Sequence, residues 1–195
     1  MSADRIYLLG DLIDRGPDSK GVLDFIFELR NRGLSVFSVR GNHEEMCLRS
    51  SDDYHSMELW TDNGGLATLD SFRADGPGDI PRQYRDFLNS LPYYVLLESF
   101  VIVHAGLNFD TVHPLDDTSA MLWPRSHIVD QQRIGGRRLI CGHTTVPLTL
   151  LEASLNSSKI MLDNGCVFIG KPGMGNLAAL ELESMTLFIQ PNIDL

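Results

Sequence analysis

Four short apolar runs in this chain each end at a glycine beside a side chain able to bind a metal or move a proton. Ile6-Tyr7-Leu8-Leu9 leads into Gly10-Asp11, and Val36 to Arg40 leads into Gly41-Asn42-His43. Val101-Ile102-Val103 leads into His104-Ala105-Gly106, and Leu139-Ile140-Cys141 leads into Gly142-His143. Short apolar runs of this kind suit buried strands. In α/β sheets ligands gather beyond the carboxyl ends of strands, where glycine permits tight turns and close backbone approach. One His or Asp after a strand is more often structural than functional. Four ends built alike are expected to gather Asp11, Asn42, His43, His104 and His143 around one point. His55, His113 and His127 lack that setting and read as surface or loop residues.

The strands sit in an α/β context. Asp18 and Ser19 can cap a helix over Lys20 to Arg32, with Gly33 after it, and Ser35 to Arg40 supplies a strand beyond. A strand-helix-strand unit of this spacing predicts parallel pairing. Helices are also expected over Gly65 to Phe72 and Pro81 to Ser90. Tyr93 to Leu97 and Phe100 to Val103 are spaced for a hairpin. Beyond Arg138 to Cys141, short strands are expected at Ile160-Leu162, Val167-Ile169, Leu177-Leu182 and Leu187-Ile189. Asn164-Gly165 is a hairpin signal between the first two of these. Gly170 to Gly175 reads as a hairpin loop, since neither a helix nor a Gly-Lys-Ser/Thr follows to make a phosphate loop. No linker or repeat divides the 195 residues, so one domain over 1–195 is expected.

Composition narrows the partners. Lys and Arg number 16 against 26 Asp and Glu, a formal net charge of −10. Such a surface repels nucleic acid and anionic membranes, although a bound metal can reverse the field locally for a small phosphorylated substrate. No apolar run approaches the ~20 residues that span a bilayer. Cys47, Cys141 and Cys166 are widely spaced and read as unpaired thiols of a reducing, cytoplasmic setting. Nothing in the sequence signals an oligomeric state.

Carboxylate, amide and imidazole donors together suit Mn²⁺, Fe or Zn²⁺ better than Ca²⁺. A carboxylate such as Asp11 can bridge two ions that generate a hydroxide and clamp a transferring phosphoryl group. His43 is then placed to act as general acid, with Asp14 to hold its ring. Arg15 offers a donor fork for phosphate oxygens, and Arg125, after Trp123-Pro124, a second one. Glu44 and Glu45 read simply as acids in the first turn of a helix.

Gly10-Asp11-Leu12-Ile13-Asp14-Arg15-Gly16, Gly41-Asn42-His43-Glu44, His104-Ala105-Gly106 and Gly142-His143 resemble, in order and spacing, the motifs of calcineurin-like metallophosphoesterases. Within them the chain is similar to bacterial and phage protein serine/threonine phosphatases, and Trp60 to Gly65, Leu122 to Ser126 and Leu162 to Gly165 resemble segments of that group. The resemblance implies a β-sandwich of mixed sheets flanked by helices. It implies two divalent metal ions, Mn²⁺ foremost, with Asp11 bridging and Asn42, His104 and His143 completing the second site. It further implies His43 as general acid, Asp14 as its partner, and Arg15 and Arg125 as phosphate anchors. The reaction implied is hydrolysis of a phosphorylated protein or small phosphoester by a metal-activated hydroxide. The related symmetrical dinucleoside tetraphosphatases usually lack the aspartate at position 14 and carry Asp after Asn-His, so Asp14 and Glu44 favour the protein phosphatase branch.

One motif of the family, a strand ending in Gly-Asp-x-His-Gly, has no counterpart before Gly10. The expectation is a fold without its first strand and an incomplete first metal site, from an upstream start, a fragment or a degenerate copy. A remnant that binds metal or phosphate without turnover is the alternative.

Overall fold

The computed structural model describes residues 4–123 and 128–194. It divides into two compact units, Met1–Pro92 and Tyr93–Leu195. Sheets flanked by helices make the fold a mixed α/β one, as the sequence predicts.

In the first unit β1 (Arg5–Leu8) and β2 (Ser35–Ser38) pair in parallel, with Ile6 opposite Val36. They form a sheet of two strands among the described residues, so β1 is half-buried instead of covered on both faces. Tyr7 stacks on its cross-strand partner Phe37, ring centroids 5.4 Å apart. Between the strands runs α1 (Ser19–Asn31), capped by the Asp18 carboxylate, which accepts from Gly21 N at 2.8 Å. Leu23 and Ile26 face the core, while Val22 and Phe25 of the wide apolar surface stay exposed.

The chain then turns into α2 (Asn42–Arg49) and α3 (Tyr54–Trp60). A π turn over Thr61–Gly65, broken at Gly64 (φ 111°), passes into α4 (Leu66–Phe72), and α5 (Arg82–Ser90) follows with Pro81 as its N-cap. Trp60, Leu69, Tyr84 and Leu88 close the core against α1 and β2. Tyr84 Oη donates to Asp24 Oδ1 at 2.6 Å and ties α5 to α1.

The second unit is built on a mixed sheet of four strands in the order β3 (Tyr94–Leu96), β4 (Phe100–Val103), β5 (Arg138–Cys141), β6 (Lys159–Met161). The β3–β4 pair is antiparallel, as the hairpin spacing predicts, and β4–β5 and β5–β6 are parallel. Val101, Val103, Leu139 and Cys141 are buried with Met121 of α6 (Thr118–Leu122), and α7 (Leu148–Ser154) connects β5 to β6.

The stretch after β6 departs from expectation. Val167-Ile169 is not a strand, and Asn164-Gly165 does not turn a hairpin. The Asn164 side chain is buried and committed elsewhere: its Nδ2 donates to Val146 O at 2.9 Å and to Gly173 O at 2.7 Å. Its Oδ1 accepts from Asn176 Nδ2 at 2.6 Å, so the residue ties two loop segments to the start of a later strand instead of turning a hairpin. Gly170 to Gly175 is accordingly an entry loop to a strand and not a hairpin loop. The hairpin forms later, between β7 (Asn176–Glu181) and β8 (Thr186–Pro191), antiparallel with Ala179 opposite Phe188. No helix among the described residues is long and apolar enough to cross a membrane.

Candidate active site

Two turns of the first unit cross where β1 and β2 end. Gly10 takes a left-handed backbone (φ 85°), and a Cβ there would lie 2.6 Å from Gly41 N. A Cβ on Gly41 would in turn lie 2.5 Å from Asp11 N. Only glycine at both positions allows this approach. It brings the turn bearing Asp11, Asp14 and Arg15 against the start of α2, which bears Asn42 and His43.

Asp14 and His43 meet as the sequence predicts. Asp14 Oδ2 lies 2.6 Å from His43 Nδ1, and both side chains are buried, at 0% and 2% exposure. A buried carboxylate is costly unless its lone pairs are filled. Here Trp60 Nε1 donates to Oδ2 at 3.0 Å and to Oδ1 at 3.1 Å, and Thr68 Oγ1 donates to Oδ1 at 2.6 Å. Asp14 N donates to Thr68 Oγ1 at 2.9 Å and to Ser19 Oγ at 3.1 Å. The ring and the carboxylate are thereby locked, and a His held by a fixed acid is a recurrent arrangement for proton transfer.

Asp11 is held through its backbone. Its Oδ1 accepts from His43 N at 3.3 Å, and Asn42 is buried at the first turn of α2. Arg15 lies at the exposed rim, where its N donates to Gly64 O at 3.3 Å and its Nε to Asn63 O at 3.4 Å. The Trp60 to Gly65 segment thus serves the site twice, through an indole N–H on Asp14 and through carbonyls that seat Arg15.

The second unit holds a pair of histidines of its own. His104 follows β4, His143 follows β5, and Gly142 N donates to His104 O at 2.8 Å across the two strand ends. His104 Nε2 and His143 Nδ1 are 3.0 Å apart, and the Trp123 ring meets His143 edge-on at 5.6 Å. Two metal–nitrogen bonds of ~2.1 Å at a right angle also place their nitrogens roughly 3 Å apart, so the pair has the spacing of two ligands to one ion. Asp11 and Asn42 offer a carboxylate and an amide in the first unit, and His104 and His143 offer two imidazoles in the second, all donor types that divalent transition metals take. Arg125 and His127 lie outside the described residues.

Backbone strain gathers at these positions. Asp11 (φ 54°), Asp14 (φ 72°), Arg15 (φ 60°) and His143 (φ 63°) are four of the six non-glycine residues with positive φ among those described. Such conformations cost of order 1 kcal/mol each and persist where the surroundings over-determine them, often at functional sites.

Sequence reasoning placed Trp60 in a segment resembling the family and Ser19 at a helix start but gave neither to Asp14, and it missed Thr68, because no local pattern marks a first-turn Thr or a helix-ending Trp as the partner of an aspartate some fifty residues away. Glu44 was legible as a helix acid but not as what it is here. Fully buried, its Oε2 accepts from Gly41 N at 2.7 Å and Asp11 N at 2.9 Å, and its Oε1 from Leu12 N at 2.6 Å.

Comparison with known proteins agrees with the motifs. The chain is 26% identical to the asymmetrical bis(5'-nucleosyl)-tetraphosphatase PrpE of Geobacillus thermodenitrificans, over 96% of this chain and 79% of that protein. It is 29% identical to serine/threonine-protein phosphatase 1 of Salmonella typhimurium, over 86% of this chain and 76% of that one. Its fold is similar to that of a metallophosphoesterase from Sphaerobacter thermophilus, with a TM-score of 0.55 and 20% identity over 97% of this chain and 79% of the other. Residues 2–147, which carry every motif from Gly10 to His143, match the calcineurin-like phosphoesterases, and the chain belongs to that family.

Proposed function

We propose that this protein is a metal-dependent phosphoric monoester hydrolase of the serine/threonine protein phosphatase type. The observation that carries the reading is the buried Asp14–His43 pair at 2.6 Å, built into a turn that also bears Asp11 and Arg15. Asp11, Asn42, His104 and His143 serve as metal ligands, two ions being expected and Mn²⁺ the preferred one. A bound divalent ion supplies Lewis acidity at phosphorus and a nucleophile at neutral pH.

The chain's own residues do the rest. With Nδ1 committed to Asp14, His43 presents Nε2 to the leaving oxygen and gives it a proton there. Asp14 fixes the ring's tautomer and orientation. Arg15 and Arg125 hold the phosphate oxygens, and Arg15 is seated for this by the Asn63 and Gly64 carbonyls.

Turnover of an aryl phosphate with Mn²⁺ tests the reading. His43→Ala is expected to lower kcat by about 10²–10⁴-fold, and Asp14→Asn by a similar factor. Turnover that survives both substitutions rejects the assignment. A tetraphosphatase is the second reading, favoured by the similarity to PrpE. Rates on a phosphopeptide and on diadenosine tetraphosphate separate the two: the protein phosphatase reading requires the phosphopeptide to be the better substrate.

A further inference from the structure

We infer that Glu44 is a positioning residue whose carboxylate holds the Asp11 turn in its ligand-bearing conformation, an inference that rests on the metal-dependent reading above. An acid in the third position of a helix ordinarily reaches back to the N–H of its own N-cap, and Glu44 does so at Gly41, 2.7 Å. That contact needs only one oxygen and leaves the side chain at the surface. Here the side chain is fully buried, and both oxygens take amides from a turn more than thirty residues earlier in the chain, Asp11 N at 2.9 Å and Leu12 N at 2.6 Å.

One oxygen, Oε2, is therefore shared by the amides of Gly41 and Asp11 and pins the two turns to one another. Three charge-assisted bonds are what make a fully buried carboxylate tolerable, and they are directional. Their second effect falls on Asp11, whose left-handed backbone (φ 54°) is unfavourable for a residue with a Cβ. Amides of Asp11 and Leu12 aimed at one carboxylate are compatible with that conformation and hold it. A relaxed Asp11 would swing its carboxylate away from His43 N, which it now faces at 3.3 Å. Glu45, the next residue, instead pairs with Arg40 at 2.9 Å and with Arg49 at 2.6 Å.

Glu44→Gln is the test, because it keeps the shape and turns one acceptor into a donor facing amide hydrogens. Two readouts are needed. Amide hydrogen exchange on the metal-free protein is expected to show protection at Asp11 and Leu12 falling at least tenfold, with Val36 and Ser38 of β2 unchanged. Mn²⁺ binding, followed by electron paramagnetic resonance well below the unfolding temperature, is expected to weaken at least tenfold. Leu23→Ala, a core truncation in the same unit, supplies a comparable loss of stability and is expected to bind Mn²⁺ within twofold of wild type.

Exchange unchanged at Asp11 and Leu12, or Mn²⁺ affinity within twofold of wild type in Glu44→Gln, overturns the inference. An equal loss of affinity in Leu23→Ala overturns it as well, by reducing Glu44 to general stability. Should Glu44→Gln not accumulate as folded protein, Glu44→Asp keeps the charge, falls short by a methylene and is read by the same criteria. Wild-type protein that takes up no Mn²⁺ refutes the proposed function instead, and the exchange arm still decides whether Glu44 holds the turn.

Discussion

Asp14 receives more hydrogen bonds than its partner histidine alone could supply, and that surplus explains why it stays aimed. Trp60 and Thr68 fill the carboxylate positions that His43 leaves, and Ser19 and Thr68 take its amide. Thr68→Val strips a donor from one oxygen and an acceptor from the amide while preserving shape. It is expected to destabilise the protein by about 1–3 kcal/mol, measured as a lower denaturant midpoint. Trp60→Phe keeps an aromatic ring but loses the pyrrole half of the indole and its N–H. On the proposed mechanism kcat should fall about tenfold, equivalent to ~1.4 kcal/mol, with KM nearly unchanged. The Asp14–His43 pairing was legible in the sequence, because both residues sit in motifs at strand ends. The ring of donors around it was not, since those residues come from α1, α3 and α4 and meet only through tertiary packing.

Elements that carry their own signals came out as read. Asp18 caps α1, and the capping carboxylate also accepts from Ser71 Oγ at 3.1 Å, which couples the helix start to α4. Asp18→Ala is expected to cost about 1 kcal/mol, seen as a reduced thermal midpoint. Parallel β1–β2 pairing and the β3–β4 hairpin followed from spacing alone. The strands at Leu177-Leu182 and Leu187-Ile189 were read rightly, whereas the stretch from Asn164 to Gly175 was misread because Asn-Gly is a local signal and its competitor is not local: the Asn164 amide bridges Val146, Gly173 and Asn176. The short helices α3, α6 and α7 escaped notice for a related reason. At five to seven residues they are marginal by themselves, and packing stabilises them more than propensity does.

For the whole molecule, family membership and fold stand together, while the choice of phosphoester belongs to the proposed function and its two-substrate assay. A protein that binds Mn²⁺ when folded is stabilised by mass action, so about 100-fold excess over Kd should add ~2.7 kcal/mol and raise the melting temperature accordingly. The thiols give a second global readout. Burial pushes the Cys141 thiol up to about 11 and raises that of Cys47 as well, whereas Cys166 is only half-buried, with its thiol raised too. Ellman's reagent is therefore expected to label Cys166 first and to reach the other two at the rate of unfolding. Because the folded protein holds Cys141 neutral, that contribution to stability is complete below the ordinary thiol value of 9.0 and disappears as pH rises toward 11. A denaturation series over that range should show stability declining with pH.

The residues held at positive φ lead to one more consequence. Arg15 sits at an exposed edge with φ 60°, a conformation that asparagine accepts more readily than arginine does. Arg15→Asn should leave the melting temperature unchanged or higher while, on the proposed role of Arg15, weakening the grip on phosphate. A screen for heat tolerance would enrich such a variant and a screen for turnover would discard it, so ranking substitutions by both screens would expose where robustness has been traded for chemistry.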